Sequence, residues 1–560
     1  MRLALALALG LAAASCGADP AAPATDTAPP ADTAPPADTA DAPDAPDPSD
    51  AAPDAVAPTD ALGPAPTPRE APLALDWAIQ SSQDDLASIG YPSAVALDDG
   101  SLAVLATFDQ TVWFGAHTLT ASDEPYLHLL YTRVTPAGEV ASLRWLCDRC
   151  GGWGAVATVA LPGGAVAFAS VLSSGEVVLR PGAADEERFS AAGDLFVAIV
   201  GPDGQLERSA RVAKVSAGEA RALAVTADGG LVIGGHTGAL SLAGGPDFPA
   251  GEPPFYPGHA FLVGVDADLA PRWAERLGGE AGSTVGLIHV DGDAVTAIGD
   301  FGGYPVGAAA RFATGTPAEL SLASVSSDDD PAVDIFASRW TAPATAGSRP
   351  ILRWARRIAH YSNGPRNPTW LRAGATPGSV AWRIDGADRL EPDGDGEYVA
   401  RSDDGGERAW PGVVATCDAD GACETALRLP NAALPSLQGF TSFTTFTTSL
   451  APAGDDGPRF SVPAPTTGPG GQVWQGHLLA RWRADGALLE AGLLRQRIEA
   501  SRYPLTPQAV APQADGSALF LLHGSAPAVL EPGVGDAVDL PHPEGYERLV
   551  VLRARLTPAP

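Results

Sequence analysis

Short runs of apolar residues recur along the chain, and a tight turn rich in Asp and Gly separates the two runs of each pair. The clearest copies span residues 196–212, 261–277 and 478–494. Asp-Gly and related pairs supply the positive φ angles that hairpin turns require, and the flanking runs have the length of strands. Each copy therefore predicts a β-hairpin. Because a repeated supersecondary unit sets the fold of a chain, this repeat is the main structural signal in the sequence.

Counting looser copies with the clear ones gives seven hairpins, near residues 130, 197, 262, 336, 414, 479 and 550. The last is a half-copy, because the strand at 549–556 meets the C-terminus without a second strand after it. The segment 73–80 resembles the missing second strand. We therefore expect 73–80 to pair with 549–556, which would leave no sheet edge exposed.

A second kind of apolar pair alternates with these hairpins and predicts strands buried on both faces. It occurs at residues 93–108, 156–171, 222–237, 287–301 and 510–524. No segment after the N-terminal apolar run has sustained helical periodicity, and Gly (63) and Pro (53) are abundant. The sequence thus predicts an all-β fold, a β-propeller of about seven four-stranded blades closed by pairing of 73–80 with 549–556.

The order of these phrases resembles a known repeat family. A Trp is followed by a Gly-rich loop, an apolar strand pair with an Asp-Gly turn, a Thr/Gly-rich outer strand such as 107–120, and a hairpin phrase such as FVAIVGPDGQLERSARV at 196–212. This order is similar to that of the seven-bladed β-propeller repeats (SBBP repeats) common in secreted bacterial proteins. The resemblance implies a propeller and an extracytoplasmic setting, and it implies no activity. Residues 366–470 fit the pattern poorly.

The N-terminus predicts secretion. Arg2 precedes an apolar run, residues 3–14, that is short for a membrane span. Residues 13–16, Ala-Ala-Ser-Cys, resemble the lipobox of bacterial lipoproteins, which implies removal of 1–15 and acylation of Cys16. Gly17 after the cysteine implies, in that family, sorting to the outer membrane. The alternative is ordinary secretion, with cleavage after an Ala-x-Ala site and Cys16 incidental.

The segment that follows the cysteine consists almost entirely of Ala, Pro, Asp and Thr, and it contains APPADT twice, at 28–33 and 34–39. So few large apolar side chains cannot offset the entropy of ordering the chain, and we expect 16–68 to be a disordered linker. Proline and mutually repelling aspartates extend such a linker to an upper reach of about 150 Å. We expect it to hold the folded domain, 70–560, away from the lipid bilayer in which acylated Cys16 is anchored.

The charge balance narrows the choice of partners. The net charge is −32, whereas binding to nucleic acid needs clustered Lys and Arg. The sequence therefore excludes nucleic acid as a partner. We expect a monomer whose ligand is an unknown protein or glycan.

Apart from Cys16, the five cysteines comprise two close pairs. Cys417 and Cys423 flank a hairpin turn, so their side chains should face each other, and we predict a disulfide in an oxidising compartment. Cys147 and Cys150 form a CDRC motif, for which we also predict a disulfide. A redox-active CxxC pair would lack a thioredoxin-type context, and a four-cysteine zinc site would require loops of distant blades to meet.

Acidic turns offer weak candidate ligands for calcium at Asp393, Asp395, Asp328 and Asp330. None of these turns matches the twelve-residue EF-hand loop. Asp and Gly are also favoured in turns on conformational grounds alone. We therefore expect no metal or other cofactor, and calcium at these aspartates is the alternative.

The sequence contains no catalytic motif. The nine histidines occur singly, and a Gly-x-Ser-x-Gly elbow, a phosphate-binding loop and a dinucleotide fingerprint are all missing. Four tryptophans have one fixed place in the repeat and are expected to pack between blades rather than against a ligand: Trp77, Trp145, Trp273 and Trp354.

Together these features predict a lipid-anchored protein of the cell envelope, facing the periplasm or the cell exterior. Its propeller is expected to be a non-enzymatic binding or scaffold module. The first alternative is a propeller enzyme that acts on glycans, a hydrolase or lyase with its active site in enlarged loops. A second alternative is a surface-coat protein. A deep pocket with converging carboxylates or histidines would favour catalysis.

Overall fold

Strands account for nearly all the secondary structure of the described residues. A computed structural model describes most of the chain between Arg69 and Leu556, and all of these residues belong to the body Pro64–Pro560. The described residues are 69–70, 73–83, 89–121, 128–148, 156–172, 176–190, 193–216, 218–242, 245–249, 258–279, 282–302, 308–324, 333–361, 380–384, 389–390, 398–399, 413–417, 420, 423–428, 459–463, 466–467, 473–482, 488–498, 505–513, 515, 517–525, 528–531, 536–540 and 547–556.

The first half of the described chain contains strands β1 to β21 and one short 3-10 turn, Pro162–Gly164. The strands are β1 (Arg69–Glu70), β2 (Leu73–Gln83), β3 (Ile89–Ala96), β4 (Leu102–Phe108), β5 (Thr111–Phe114), β6 (His117–Thr120), β7 (His128–Val134), β8 (Val140–Asp148), β9 (Ala157–Ala160), β10 (Val166–Leu172), β11 (Glu176–Leu179), β12 (Glu187–Ser190), β13 (Asp194–Val200), β14 (Leu206–Val215), β15 (Glu219–Val225), β16 (Leu231–Thr237), β17 (Leu240–Leu242), β18 (Asp247–Phe248), β19 (His259–Val265), β20 (Pro271–Arg276) and β21 (Gly278–Gly279).

The second half contains strands β22 to β41, and none of the described residues forms an α-helix. The strands are β22 (Gly282–Asp291), β23 (Ala294–Gly302), β24 (Ala309–Phe312), β25 (Leu320–Ala323), β26 (Val333–Thr341), β27 (Ile351–Tyr361), β28 (Val380–Ile384), β29 (Arg389–Leu390), β30 (Tyr398–Val399), β31 (Val413–Cys417), β32 (Cys423–Arg428), β33 (Arg459–Pro463), β34 (Thr466–Thr467), β35 (Val473–Trp482), β36 (Leu488–Ile498), β37 (Thr506–Pro512), β38 (Ser517–Gly524), β39 (Ala528–Glu531), β40 (Val538–Leu540) and β41 (Arg548–Leu556).

One antiparallel pattern of four strands recurs along the chain. The first strand pairs with the second, the second with the third and the third with the fourth. Complete copies are unit 1 (β3, β4, β7, β8), unit 2 (β9, β10, β13, β14), unit 3 (β15, β16, β19, β20), unit 4 (β22, β23, β26, β27) and unit 7 (β37, β38, β41, β2). The sheets β28-β31-β32 and β33-β35-β36 carry three consecutive strands of the same pattern, as units 5 and 6. All seven hairpin positions predicted from the sequence therefore fall on third strands.

A short outer hairpin joins most units to a neighbour. It lies in the chain between the second and third strands of one unit, but it pairs with the fourth strand of another unit. Thus β11 of the hairpin β11-β12 leaves unit 2 and pairs with β8 of unit 1, through Leu179↔Cys147. The same arrangement places β5 on β2, β17 on β14, β24 on β21 directly after β20, β29 on β27, and β39 on β36.

The predicted pairing between the two ends of the folded region is present. Strand β2 runs antiparallel to β41 with Leu73 opposite Leu556 and Gln80 opposite Val550. Strand β38 pairs with the other side of β41. Unit 7 is therefore assembled from strands at both ends of the described chain.

The hydrophobic core lies between neighbouring units. Separate clusters of buried side chains join units 7 and 1, units 1 and 2, units 2 and 3, and units 3 and 4. Every residue of β4, β10, β13 and β16 is buried, as expected for strands that are covered on both faces. The first strands of consecutive units are also in contact, since β3 lies against β37 and β9, and β15 lies against β9 and β22.

Tight turns close one edge of the units, which we call the turn edge. There the backbone N–H of one residue donates to the carbonyl four residues later, as from Leu97 to Ser101 and from Thr135 to Glu139. Gly138 in the second turn has a φ of +86°, and a Cβ there would lie 2.8 Å from Trp77 Cδ2. Trp77 of unit 7 thus packs on a turn of unit 1, as predicted for this tryptophan, and its Nε1 donates to the Pro136 carbonyl at 3.1 Å.

Candidate functional site

The opposite edge of the units, the loop edge, carries the buried ionisable side chains. Here first and third strands begin and second and fourth strands end. A buried charge or imidazole is costly unless it is compensated, so its placement is informative. Among the described Asp, Glu, His, Lys and Arg residues, one buried side chain, that of Arg339, lies within a strand away from this edge. The others lie at the loop edge: His128, Asp148, Asp194, His236, Glu275, Asp334 and Arg548.

Unit 3 begins with a charged cluster on its first and second strands. Glu219 accepts hydrogen bonds from the Arg221 guanidinium, with Nε and Nη2 each 2.9 Å from Oε2. His236 lies directly opposite Glu219 in the strand pair and is almost fully buried. Burial, assisted by the Arg221 charge, lowers the pKa of His236 to about 4. The imidazole is therefore neutral at neutral pH.

Asp300 occupies in unit 4 the position that His236 occupies in unit 3. It lies opposite Thr284, whose side chain is hydrogen-bonded to the carboxylate. Desolvation raises the pKa of Asp300 to about 6, although Arg221 and the Thr284 hydrogen bond both lower it. The residue keeps some solvent exposure. A carboxyl group that titrates near neutrality and still meets solvent can give or take a proton.

A second recurring place is the start of the third strand, which we call the entry position. The residue two positions after the entry residue in the third strand is apolar. The fourth-strand residue that is paired with this apolar residue occupies what we call the opposing position. The pairs of entry and opposing residues are His128 and Trp145 in unit 1, Asp194 and Arg211 in unit 2, His259 and Arg276 in unit 3, Asp334 and Arg357 in unit 4, and Arg548 and Gln80 in unit 7.

Unit 2 has a charge-balanced entry position. The Asp194 carboxylate is buried, with 4% of its side chain exposed, and its Oδ1 lies 2.7 Å from Lys214 Nζ. Its Oδ2 lies 3.8 Å from Arg211 Nη1. The protein itself thus supplies the anion that the two basic side chains face.

Unit 3 has a histidine at the same place. His259 Nδ1 and Arg276 Nε are both buried without a hydrogen-bond partner among the described residues. Arg276 Nη1 donates to the Gly238 carbonyl at 2.8 Å. Burial and the nearby Arg276 charge lower the pKa of His259 to about 4, and burial lowers the pKa of Arg276. A neutral imidazole therefore faces a guanidinium that has no carboxylate beside it within the described part of the chain.

Units 1 and 7 fill the entry position in other ways. In unit 1, His128 Nδ1 lies 2.7 Å from Asp148 Oδ1, and the imidazole packs edge-on against Trp145 at 5.2 Å between ring centroids. In unit 7, Arg548 donates to Gln80 Oε1 at 2.5 Å and to the Leu540 carbonyl at 3.0 Å. The entry position therefore differs in chemistry between units that share the same strand pattern.

The predicted cysteine sites are placed in part. Cys147 is buried near the end of β8. Cys150 lies outside the described residues, so the pairing of the CDRC motif stays a prediction. Cys417 and Cys423 are directly opposite each other in β31 and β32, as the hairpin predicted, and their disulfide also stays a prediction.

The remaining predicted sites fall outside the described residues. These are the lipidation site Cys16 and the calcium candidates Asp393, Asp395, Asp328 and Asp330. Among the residues that the structure does describe, no group of three or more His, Cys, Asp or Glu side chains is arranged to hold a metal ion. Within the same residues, no helix is long and apolar enough to cross a membrane.

Sequence comparisons identify no relatives of this chain. No protein-family model matches it, so the resemblance to SBBP repeats stays a prediction. No curated protein sequence matches it either.

Three solved structures are similar to this one over most of its length. A protein of unknown function from Dyadobacter fermentans has a TM-score of 0.31 at 8% identity, covering 87% of this chain and 99% of its own. A mutant of the Synechocystis apocarotenoid oxygenase has a TM-score of 0.29 at 13% identity, covering 76% and 96%. The xylan β-1,4-xylosidase of Bacillus halodurans has a TM-score of 0.21 at 10% identity, covering 85% and 96%. At such TM-scores these likenesses carry no argument about function.

Proposed function

We propose that the chain is an envelope lipoprotein whose seven units are the blades of a closed β-propeller, and that this propeller binds a ligand at its loop edge without catalysing a reaction. The anchor in this proposal is acylated Cys16, and the linker 16–68 places the propeller on the periplasmic or outer side of an outer membrane. The ligand is a glycan or a protein, and the chain acts as a monomer.

The pairing of β2 with β41 supports the closed arrangement. An open row of units would leave β41 as a sheet edge, whereas here β2 covers it from Leu73 to Gln80. The contacts of β3 with both β37 and β9 support the same arrangement, because they place unit 7 beside unit 1 and unit 1 beside unit 2. Outer hairpins that pair with a neighbouring unit would further tie such blades together.

The contrast between the two edges is the observation that carries the binding function. Tight turns with internal hydrogen bonds close the turn edge. The loop edge presents a different ionisable or aromatic pair in each complete unit, on strands held by a shared apolar core. Variable side chains on a rigid repeated scaffold are the usual basis of ligand recognition.

A capture experiment with matched variants tests this proposal. The immobilised full-length chain is incubated with polygalacturonate, with xylan and with solubilised envelope proteins, and retained material is measured. A loop-edge variant, Arg221→Gln with Arg276→Gln, should lose retention. A turn-edge variant, Arg133→Gln with Arg208→Gln, should keep it. Equal retention by both variants, or no retention of any probe by the unmodified chain, would refute the proposal.

Asp300 supports a second candidate function, a glycan-active hydrolase or lyase. Its pKa of about 6 and its residual exposure suit a general acid, and Arg221 and His236 lie on the adjoining unit. The same polysaccharides distinguish the two functions. Shortened chains in the supernatant, lost in Asp300→Asn, would favour the enzyme; retained chains of unchanged length would favour binding alone.

A further inference from the structure

We infer that the entry position of unit 3 is a binding site for an oxyanion, either a carboxylate or a phosphate. The Arg276 guanidinium binds this anion, and His259 lies next to it. The inference rests on the proposed binding function and specifies the chemistry of one part of its ligand. No sequence motif marks this site, because its two residues lie on different strands of one hairpin.

Two other units, 2 and 4, have an aspartate and an arginine at these positions. In unit 2 the opposing Arg211 faces the carboxylate of Asp194, and in unit 4 Arg357 and Asp334 occupy the same two positions. Unit 3 keeps the arginine, as Arg276, opposite the matching phenylalanine, Phe261. It replaces the aspartate with His259. Unit 3 therefore lacks the negative charge that units 2 and 4 have at the entry position, but it has the same positively charged opposing residue.

Histidine does not restore the charge. Because the pKa of His259 is lowered to about 4, the imidazole is neutral at neutral pH and neither compensates nor repels the guanidinium strongly. Burial lowers the pKa of Arg276 as well, which reports that its charge is partly desolvated. A partly desolvated guanidinium gains most from an anion that can accept charge-assisted hydrogen bonds.

Other carboxylates near unit 3 are already engaged. Glu275 precedes Arg276 in β20, so its side chain lies on the opposite face of the strand. There Glu275 forms a bidentate ion pair with Arg349: Arg349 Nε lies 2.8 Å from Glu275 Oε2, and Arg349 Nη2 lies 2.5 Å from Glu275 Oε1. Glu219 is paired with Arg221. Within the described residues, no carboxylate lies within ion-pair distance of Arg276, so none of these residues supplies the anion that Asp194 supplies in unit 2.

The site is also accessible. His259 and Arg276 are each partly exposed, and both lie at the loop edge. Arginine is well suited to this role, because its planar fork matches the geometry of carboxylate and phosphate oxygens. Neutral His259 keeps one ring N–H that can serve as a second donor.

Calorimetric titration of the full-length chain tests the inference, with sodium glucuronate and inorganic phosphate as probes and glucose as the uncharged control. The buffer is neutral and contains about 0.15 M salt, so that the net charge of the chain is screened. The unmodified chain should bind at least one oxyanion and not glucose, and the stronger of the two probes identifies carboxylate or phosphate as the natural group. Arg276→Gln should weaken binding about ten- to hundredfold.

Two further variants separate this site from general charge effects. His259→Asp supplies the internal carboxylate found in units 2 and 4, and it should abolish binding while leaving the fold intact, because it restores the repeat's own charge pair. Arg211→Gln, the matched change in unit 2, should leave the affinity unchanged within about twofold. Equal losses in Arg276→Gln and Arg211→Gln, or no oxyanion binding by the unmodified chain, would overturn the inference. If the chain still retained xylan or an envelope protein, the proposed binding function would survive that failure.

Discussion

Units 2 and 3 are built on the same plan but treat one charge differently. Both have a buried second strand, and in both a phenylalanine of the third strand lies opposite an arginine of the fourth. In unit 2 the entry residue is Asp194, which faces Lys214 and Arg211. In unit 3 it is His259, and Arg276 has no described carboxylate beside it. The two units therefore share the arrangement of the hairpin and its core, but they differ at the entry position, where we propose that a ligand binds.

A second contrast between the two units lies deeper in the same hairpins. Ile199 of unit 2 is paired with Arg208, whereas Gly264 of unit 3 is paired with Trp273. A Cβ at Gly264 would lie 2.2 Å from Trp273 Nε1, so the glycine is required by the tryptophan that covers it. Within the hairpin, the change to a large tryptophan is thus matched by a change to glycine on the paired strand. At the entry position of unit 3, the change from aspartate to histidine is not matched by loss of the opposing arginine.

Gly264→Ala should have the largest effect. The added methyl group overlaps the Trp273 indole, which is buried in the core between units 3 and 4 and cannot easily move. We expect a loss of about 3 kcal/mol in the free energy of unfolding, measured by urea denaturation. Ala198→Gly, one position earlier than Ile199 in unit 2, serves as a strand control that adds no atom. A Gly264→Ala protein as stable as the parent would show that Trp273 does not pack as described.

His259→Gln should change the pH dependence of stability. The pKa of His259 is lowered to about 4 in the folded state, so the unfolded chain binds more protons between about pH 4 and 6.5. Stability therefore rises with pH through this window and levels off above it. The free energy of unfolding should therefore increase between about pH 5 and pH 7 by about 1–2 kcal/mol less in the variant than in the parent.

His236 contributes in the same direction as His259, and Asp300, whose pKa is raised, contributes in the opposite direction. Some pH dependence will therefore remain in His259→Gln. Thermal unfolding at both pH values measures the change. An identical pH profile for parent and variant would mean that His259 is not desolvated.

Asp194→His makes unit 2 resemble unit 3. It should lower the free energy of unfolding by about 1 kcal/mol, because Lys214 and Arg211 lose their carboxylate partner but remain in contact with water. Urea denaturation measures the loss. The same variant should gain weak oxyanion binding in the calorimetric assay. A variant that is destabilised without any gain in binding would indicate that the surroundings of Arg276, rather than the missing aspartate, create the site.

Arg211→Gln should have the smallest effect and lower the free energy of unfolding by less than about 0.5 kcal/mol. Half of the arginine side chain is exposed, and Lys214 still pairs with Asp194 in the variant. Urea denaturation again provides the measurement. A loss as large as that of Gly264→Ala would show that the balanced pair in unit 2 is a main source of stability, which would weaken its use as a control.

Much of the fold is predictable from the sequence because it depends on local patterns. Apolar runs around Asp-Gly turns predicted the third and fourth strands, and the unpaired half-copy at 549–556 predicted its pairing with 73–80, which β2 and β41 confirm. The segment 366–470 fitted the repeat poorly, and there the structure describes just short strands of units 5 and 6.

The candidate site was harder to predict because its residue types differ in every unit. His259 and Arg276 lie on separate strands, and only the strand register shows that they correspond to Asp194 and Arg211. Nine scattered histidines gave no signal one at a time. Aligning the starts of the third strands would have found it, since HLLYTRV, DLFVAIV, HAFLVGV and RLVVLRA each begin with an ionisable residue before an apolar run.

The most direct test of the contrast between units 2 and 3 is diffraction from crystals of the full-length chain soaked in sodium selenate, a heavy tetrahedral oxyanion. Its anomalous signal locates the bound ion without reference to any assay. We expect a selenium peak within hydrogen-bond distance of the Arg276 guanidinium and none beside Arg211, where Asp194 already supplies the negative charge. A peak at Arg211 with none at Arg276 would contradict this expectation, as would equal peaks at both.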